Sequence, residues 1–162
     1  MPAIRLVPLI ALALVACKPA AEQTADEAAS SEVEAKPGLS ASKGRLVLPT
    51  VTGNPGAAYF TLANSGATSV VLGAVYVDGA DKAEMHQTSG GSMAPLATLE
   101  LPAGKTDEFA PGGKHVMVFG LDPKLASGAS VTMTLTFADG DKLSAPLTVE
   151  KAGATMDHGD MP

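Results

Sequence analysis

Val131-Thr132-Met133-Thr134-Leu135-Thr136-Phe137 is the stretch whose reading decides the fold. Apolar residues take every second position and Thr fills the places between them. A period of two marks a strand with one face on a core and the other toward solvent. Threonine, branched at Cβ, suits that extended backbone. Asp139-Gly140 follows as a tight turn signal, and Lys142 to Val149 runs back, so the segment predicts an antiparallel hairpin. In this register Met133 is in phase with Val131, Leu135 and Phe137, which makes it a core residue.

Working outward, the same grammar recurs. Arg45–Leu48, Ala57–Ala63, Ser69–Val77, Lys82–Gln87, Leu96–Leu101 and His115–Leu121 read as further strands. Asn64-Ser65-Gly66, Asp78-Gly79 and Pro111-Gly112-Gly113 read as turns between them. No stretch keeps a helical period. About eight short strands between residues 44 and 150 predict a single all-β domain, an antiparallel β-sandwich or Greek-key barrel.

The chain on either side is different material. Arg5 precedes an apolar run, Leu6 to Ala16, too short to span a bilayer, which reads as a signal peptide over residues 1–16. It ends in Leu14-Val15-Ala16-Cys17, which resembles the lipobox of bacterial lipoproteins. That resemblance implies cleavage before Cys17 and lipidation of it. Cys17 is the only cysteine, so an intramolecular disulfide and a thiolate metal cluster are both excluded. Residues 17–43 are rich in Ala, Glu, Ser, Thr and Pro and short of apolar bulk, and read as a flexible tether. The membrane is then met through the lipid anchor only, at the periplasmic face of the cell envelope. In a Gram-negative cell, Lys18 in place of Asp after the cysteine favours the outer membrane. Once Arg5 is removed, 10 basic residues face 17 acidic ones. With no basic patch and no Trp, nucleic acid is not an expected partner.

The chemistry lies in histidine and methionine. Each of the three histidines, His86, His115 and His158, has a methionine within two positions: Met85, Met117 and Met156. A thioether is soft and uncharged and imidazole is borderline, a pairing that suits copper(I) and poorly suits magnesium or calcium. His115 and Met117, at i and i+2 on a strand, point to one face, with Val116 and Val118 on the other. Alone, such a pair is a weak signal and reads rather as a strand with an exposed His and a half-buried Met. Met93 adds weight, because Gly90-Gly91-Ser92-Met93-Ala94-Pro95 reads as a loop with no core role. His86 ends a strand and opens that loop, while Met85, in alternation, packs inward. The C-terminal segment 151–162 reads as a disordered tail. Its Met156, His158 and Met161 form a second, weaker metal candidate, with His158 and Asp157 suited to copper(II).

Met93 followed after 21 residues by His115-Val116-Met117 resembles the second half of the pattern His-x10-Met-x21-His-x-Met of the PCuAC family of periplasmic copper(I) chaperones. Met93-Ala94-Pro95, Leu101-Pro102-Ala103-Gly104 and Ala110 to Met117 carry the likeness further, over about residues 44–149. One departure stands out: His86 and Met93 are separated by six residues, where the family has ten. The resemblance implies a cupredoxin-like sandwich with copper(I) held by His86, Met93, His115 and Met117. It also implies delivery toward the copper A centre of cytochrome c oxidase subunit II; a Sco-type protein beside it is a further partner that the sequence leaves open. Copper storage or resistance in the envelope, or a scaffold module without metal, are the alternatives the sequence leaves open. No nucleophile elbow, phosphate loop or HExxH helix points to an enzyme.

Overall fold

The computed structural model describes residues 36–153. The signal peptide, Cys17, most of the tether and the tail with Met156, His158 and Met161 lie outside the described residues. Inside them the protein is all-β, ten strands in chain order: β1 Leu39–Leu48, β2 Gly56–Asn64, β3 Val70–Val77, β4 Lys82–Ser89, β5 Ser92–Pro95, β6 Leu99–Leu101, β7 Thr106–Phe109, β8 Lys114–Phe119, β9 Ser130–Phe137 and β10 Lys142–Lys151.

The strands form one continuous sheet in the order β5-β4-β8-β7-β2-β1-β10-β9-β3-β6, with β8 also pairing β2. The sheet curls so that β3 and β4, far apart in that order, pack together. The two halves thereby face each other as a cupredoxin-like sandwich. Between them lies one apolar core with Leu46, Phe60, Leu62, Leu72, Phe109, Val116, Val118, Met133, Leu135 and Leu147 all nearly inaccessible to solvent. Phe60 and Phe109 stack at 4.3 Å between ring centroids. The hairpin that decided the reading is present. β9 pairs β10 from Thr136↔Lys142 to Ser130↔Thr148, with Met133, Leu135 and Phe137 buried. Its turn is a three-residue loop, Ala138-Asp139-Gly140, with Gly140 at φ 88°.

The structure departs from the sequence reading in four places. β1 begins at Leu39, not near residue 45, and it pairs with β2 from Leu39↔Asn64 onward. Residues 39–43, expected in the tether, therefore belong to the domain. Lys36 is tied to it as well, its ammonium bonded to the carboxylates of Asp139 and Asp141. Two strands were not expected at all: β5, read as loop, and β7, whose Thr-Asp-Glu-Phe sequence carries one core residue. The strand expected from Leu96 starts only at Leu99. Finally, the pairing is mixed. β1 lies parallel to β10, with Arg45↔Thr148 through Leu48↔Lys151, and β7 meets β8 in parallel.

Candidate metal centre

The candidate residues sit on three neighbouring strands, β5, β4 and β8. Gly90 and Gly91, at φ 58° and 82°, make a two-residue turn of the kind that joins antiparallel strands most tightly. The turn sets the β4–β5 register at Ser89↔Ser92, Thr88↔Met93 and His86↔Pro95. On the other side, β4 pairs β8 with Glu84↔Met117, Met85↔Val116 and His86↔His115. Residues opposite one another in an antiparallel pair point to the same face, and the face alternates along each strand. His86, Met93, His115 and Met117 therefore share one face of the β5-β4-β8 ribbon, with Thr88 and Glu84. The other face carries Met85, Val116 and Val118 into the core, as the alternation predicted.

His86 and His115 lie across from each other with ring centroids 6.0 Å apart. The loop shortened by four residues has become a hairpin, and pairing to β8 places His86, not the length of the loop. Met93 is on the edge strand and 53% exposed. Its sulfur lies 3.3 Å from His115 Nε2.

The turn before β8 prepares His115. Pro111 and Gly112 occupy the middle of a turn closed by Gly113 N–H donating to the Ala110 carbonyl at 3.0 Å, with Gly112 at φ 78°. The Gly113 carbonyl then accepts from Thr88 N–H and from His115 Nδ1, each at 3.0 Å. A ring that donates from Nδ1 is, when neutral, left with a lone pair on Nε2. That lone pair faces the sulfur of Met93. Two electron-pair donors pointed at each other are a poor contact unless a cation sits between them.

His86 makes the same point from the opposite side. Neither of its ring nitrogens has a hydrogen-bond partner, although both are buried. Asn64 shows what the fold does with a buried polar side chain of purely structural use. Its amide donates to the carbonyls of Thr68 and Leu101 at 2.8 and 3.1 Å and accepts from Gly66 N–H at 3.0 Å. A buried group left without partners costs about 1–3 kcal/mol, which a bound ion would recover. Among the described residues no three His, Cys, Asp or Glu side chains gather as a metal site. A site here needs the two thioethers, and a donor set of two imidazoles and two thioethers fits copper(I).

Glu84 was not singled out from the sequence. Its carboxylate Oε1 is held by Lys82 Nζ at 2.7 Å, and Oε2 lies 3.7 Å from His86 Nε2. The ammonium of Lys82 holds the Glu84 carboxyl below the usual carboxylate range. The signal that could have found it is the i, i+2 spacing to His86.

Residues 39–149 match the family described as LpqE-like, a lipoprotein family. A lipoprotein by name, Lxx21020 of Leifsonia xyli subsp. xyli, is 34% identical over 99 residues, which is 57% of this chain. The chain spans 58% of that relative's length. Among solved structures, the copper-bound PCuAC domain from PmoF2 superposes with a TM-score of 0.62 at 20% identity, covering 74% of this chain and 97% of that domain. The solution structure of CuI-DR1885 from Deinococcus radiodurans gives a TM-score of 0.58 at 27% identity, over 79% of this chain and 87% of that one. The fold is that of PCuAC domains.

Proposed function

The chain belongs to the LpqE-like lipoprotein family, and on that premise we propose that it is a copper(I) chaperone of the bacterial cell envelope. Copper(I) is its cargo, held by His86, Met93, His115 and Met117. The observation that carries this reading is the unsatisfied donor set on one sheet face: His115 Nε2 against the Met93 sulfur at 3.3 Å, beside a His86 ring with no hydrogen-bond partner. The copper-bound PmoF2 domain and CuI-DR1885, which share the fold, support it.

The geometry suits carriage and release. Thioethers are neutral and hold copper(I) without the charge of a thiolate. Met93 is the outermost donor, on an edge strand whose four residues are all exposed. A recipient thiol, thioether or imidazole reaches the ion from the Met93 side and displaces that sulfur first. His115, fixed by the Gly113 carbonyl, and Met117, within β8, hold until the last. Delivery toward the copper A centre of cytochrome c oxidase subunit II, with a Sco-type thiol protein nearby, is the proposed destination. Lipidation at Cys17 would keep the carrier at the membrane.

The test is titration with copper(I) against a chelator probe under anaerobic conditions, with His86, Met93, His115 and Met117 replaced by Ala singly and together. Each single variant is expected to bind about 10-fold or more weakly, and the quadruple variant to lose specific binding. Equal binding by wild type and quadruple variant would sink the site. Transfer to the soluble domain of an oxidase subunit II, followed at its copper A absorption, distinguishes delivery from storage.

A further inference from the structure

We propose that Glu84 is the positioning residue for His86: its carboxylate accepts a hydrogen bond from His86 Nε2–H when copper(I) is bound, so that His86 binds the metal through Nδ1. The inference rests on the copper reading above and adds to it the identity of the ligating atom and the group that selects it.

A metal-bound imidazole generally donates its second N–H to a fixed acceptor, which sets the tautomer and holds the ring. His115 already has such an acceptor in the Gly113 carbonyl, 3.0 Å from Nδ1, and so offers Nε2. His86 has none within hydrogen-bond distance. The one charged acceptor the structure sets beside it is Glu84 Oε2, 3.7 Å from Nε2, a little beyond bonding reach.

The strand geometry makes this placement systematic. Glu84 and His86 are i and i+2 on β4, and Glu84 is directly across from Met117 on β8. The carboxylate is thus on the ligand face beside two of the donors. Lys82 Nζ bonds the other carboxylate oxygen, Oε1, at 2.7 Å, so Oε2 remains open to the ring. A shift of under about 1 Å closes the bond. The two histidines then ligate through different nitrogens, Nδ1 from His86 and Nε2 from His115. The asymmetry follows from their acceptors lying at different places, one a carbonyl in the turn just before β8, the other a carboxylate along β4.

Copper(I) is closed-shell, so ring ¹⁵N resonances of the loaded full chain can be read directly. With ¹⁵N-labelled histidine, the copper(I) form is expected to show His86 protonated at Nε2 and metal-bound at Nδ1, and His115 the reverse. Glu84→Gln keeps an acceptor oxygen and is expected to preserve that pattern with affinity within about 3-fold, whereas Glu84→Leu is expected to lose the pattern and weaken copper(I) by about 10-fold or more. Lys82→Met breaks the ion pair but keeps the carboxylate, and is expected to bind like wild type. That variant separates loss of the carboxylate from loss of a surface ion pair, and an equal loss in it overturns the proposal. His86 bound through Nε2, or an unchanged pattern and affinity in Glu84→Leu, also overturns it. If neither ring of wild type shifts on adding copper(I), the copper reading itself fails and this one with it, an outcome distinct from a shift of the wrong nitrogen.

Discussion

The β9–β10 hairpin turns through Ala138-Asp139-Gly140 and keeps seven residue pairs in register, with Met133 and Leu135 fully buried. The β4–β5 hairpin turns through Gly90-Gly91 and keeps four, and β5 leaves every residue exposed. Each carries a methionine that matters. Met133 fills the core, while Met93 faces a histidine at the rim. The first hairpin draws its stability from burial, at about 25 cal/mol per Å² of apolar surface. The second buries no apolar side chain on β5 and rests on backbone pairing and turn geometry. The fold thus separates the scaffold from the hairpin proposed to exchange copper(I), because elements with few buried contacts open at low cost.

Breaking the comparison on its strong side gives the largest expected effect. Leu135→Ala should lower unfolding free energy by about 2–5 kcal/mol, read by urea denaturation, while the folded fraction keeps wild-type copper(I) affinity. On the weak side, Gly91→Ala puts a Cβ on a residue at φ 82°, although no atom lies close enough to clash. It should cost the hairpin about 1–2 kcal/mol locally, seen as faster amide exchange in β4–β5 and weaker copper(I) binding, with little change in global stability. The methionines sharpen the contrast. Met133→Leu should cost less than about 1.5 kcal/mol of stability and leave copper untouched. Met93→Leu should reverse that, weakening copper(I) about 10-fold at constant stability. A stability loss in Met93→Leu as large as that in Met133→Leu would erase the distinction.

The smallest effect concerns the ion pair at the tip of the strong hairpin. The Lys36 ammonium holds the Asp139 carboxyl below the usual carboxylate range, and the carboxylates of Asp139 and Asp141 raise the Lys36 amine. A lowered carboxyl stabilises the fold above its unfolded pKa and ceases to do so as pH falls through the folded value. A raised amine stabilises it below its unfolded pKa, and that contribution is lost as pH rises through the folded value. The pair therefore contributes across the neutral range and at neither extreme. Lys36→Gln should flatten the acid limb of the urea midpoint slightly, the pair being at the surface and screened by salt.

What could be read from the sequence follows from the same contrast. Strands with one face on the core announce themselves by alternation, as Val131–Phe137 does, and the inward direction of Met85 and Met133 followed from it. The edge strand Ser92–Pro95 has no buried face, so it carries no period, and two glycines with a proline imitate a loop. Thr106–Phe109 commits one residue to the core, too little to show. Leu39–Lys43 resembles a tether because Leu39 is its one buried residue and the strand bulges between Ser42 and Arg45, where Lys43 takes a positive φ of 53°. The candidate site was legible in its parts, since His-x-Met and a nearby Met suggest their chemistry. What the sequence did not show was the ladder that puts His86 opposite His115, or the carboxylate of Glu84 beside it, because cross-strand register is a non-local property.

The parallel pairing of β1 with β10 has a mechanical consequence. These are the first and last strands of the domain, and Arg45–Leu48 lies alongside Thr148–Lys151. A pull at the two ends of the domain drags the strands past each other along their length. All the hydrogen bonds between them are then loaded together in shear, and none can be peeled open ahead of the others. A domain held by one end and tugged by the other would yield at a higher force than its equilibrium stability alone suggests.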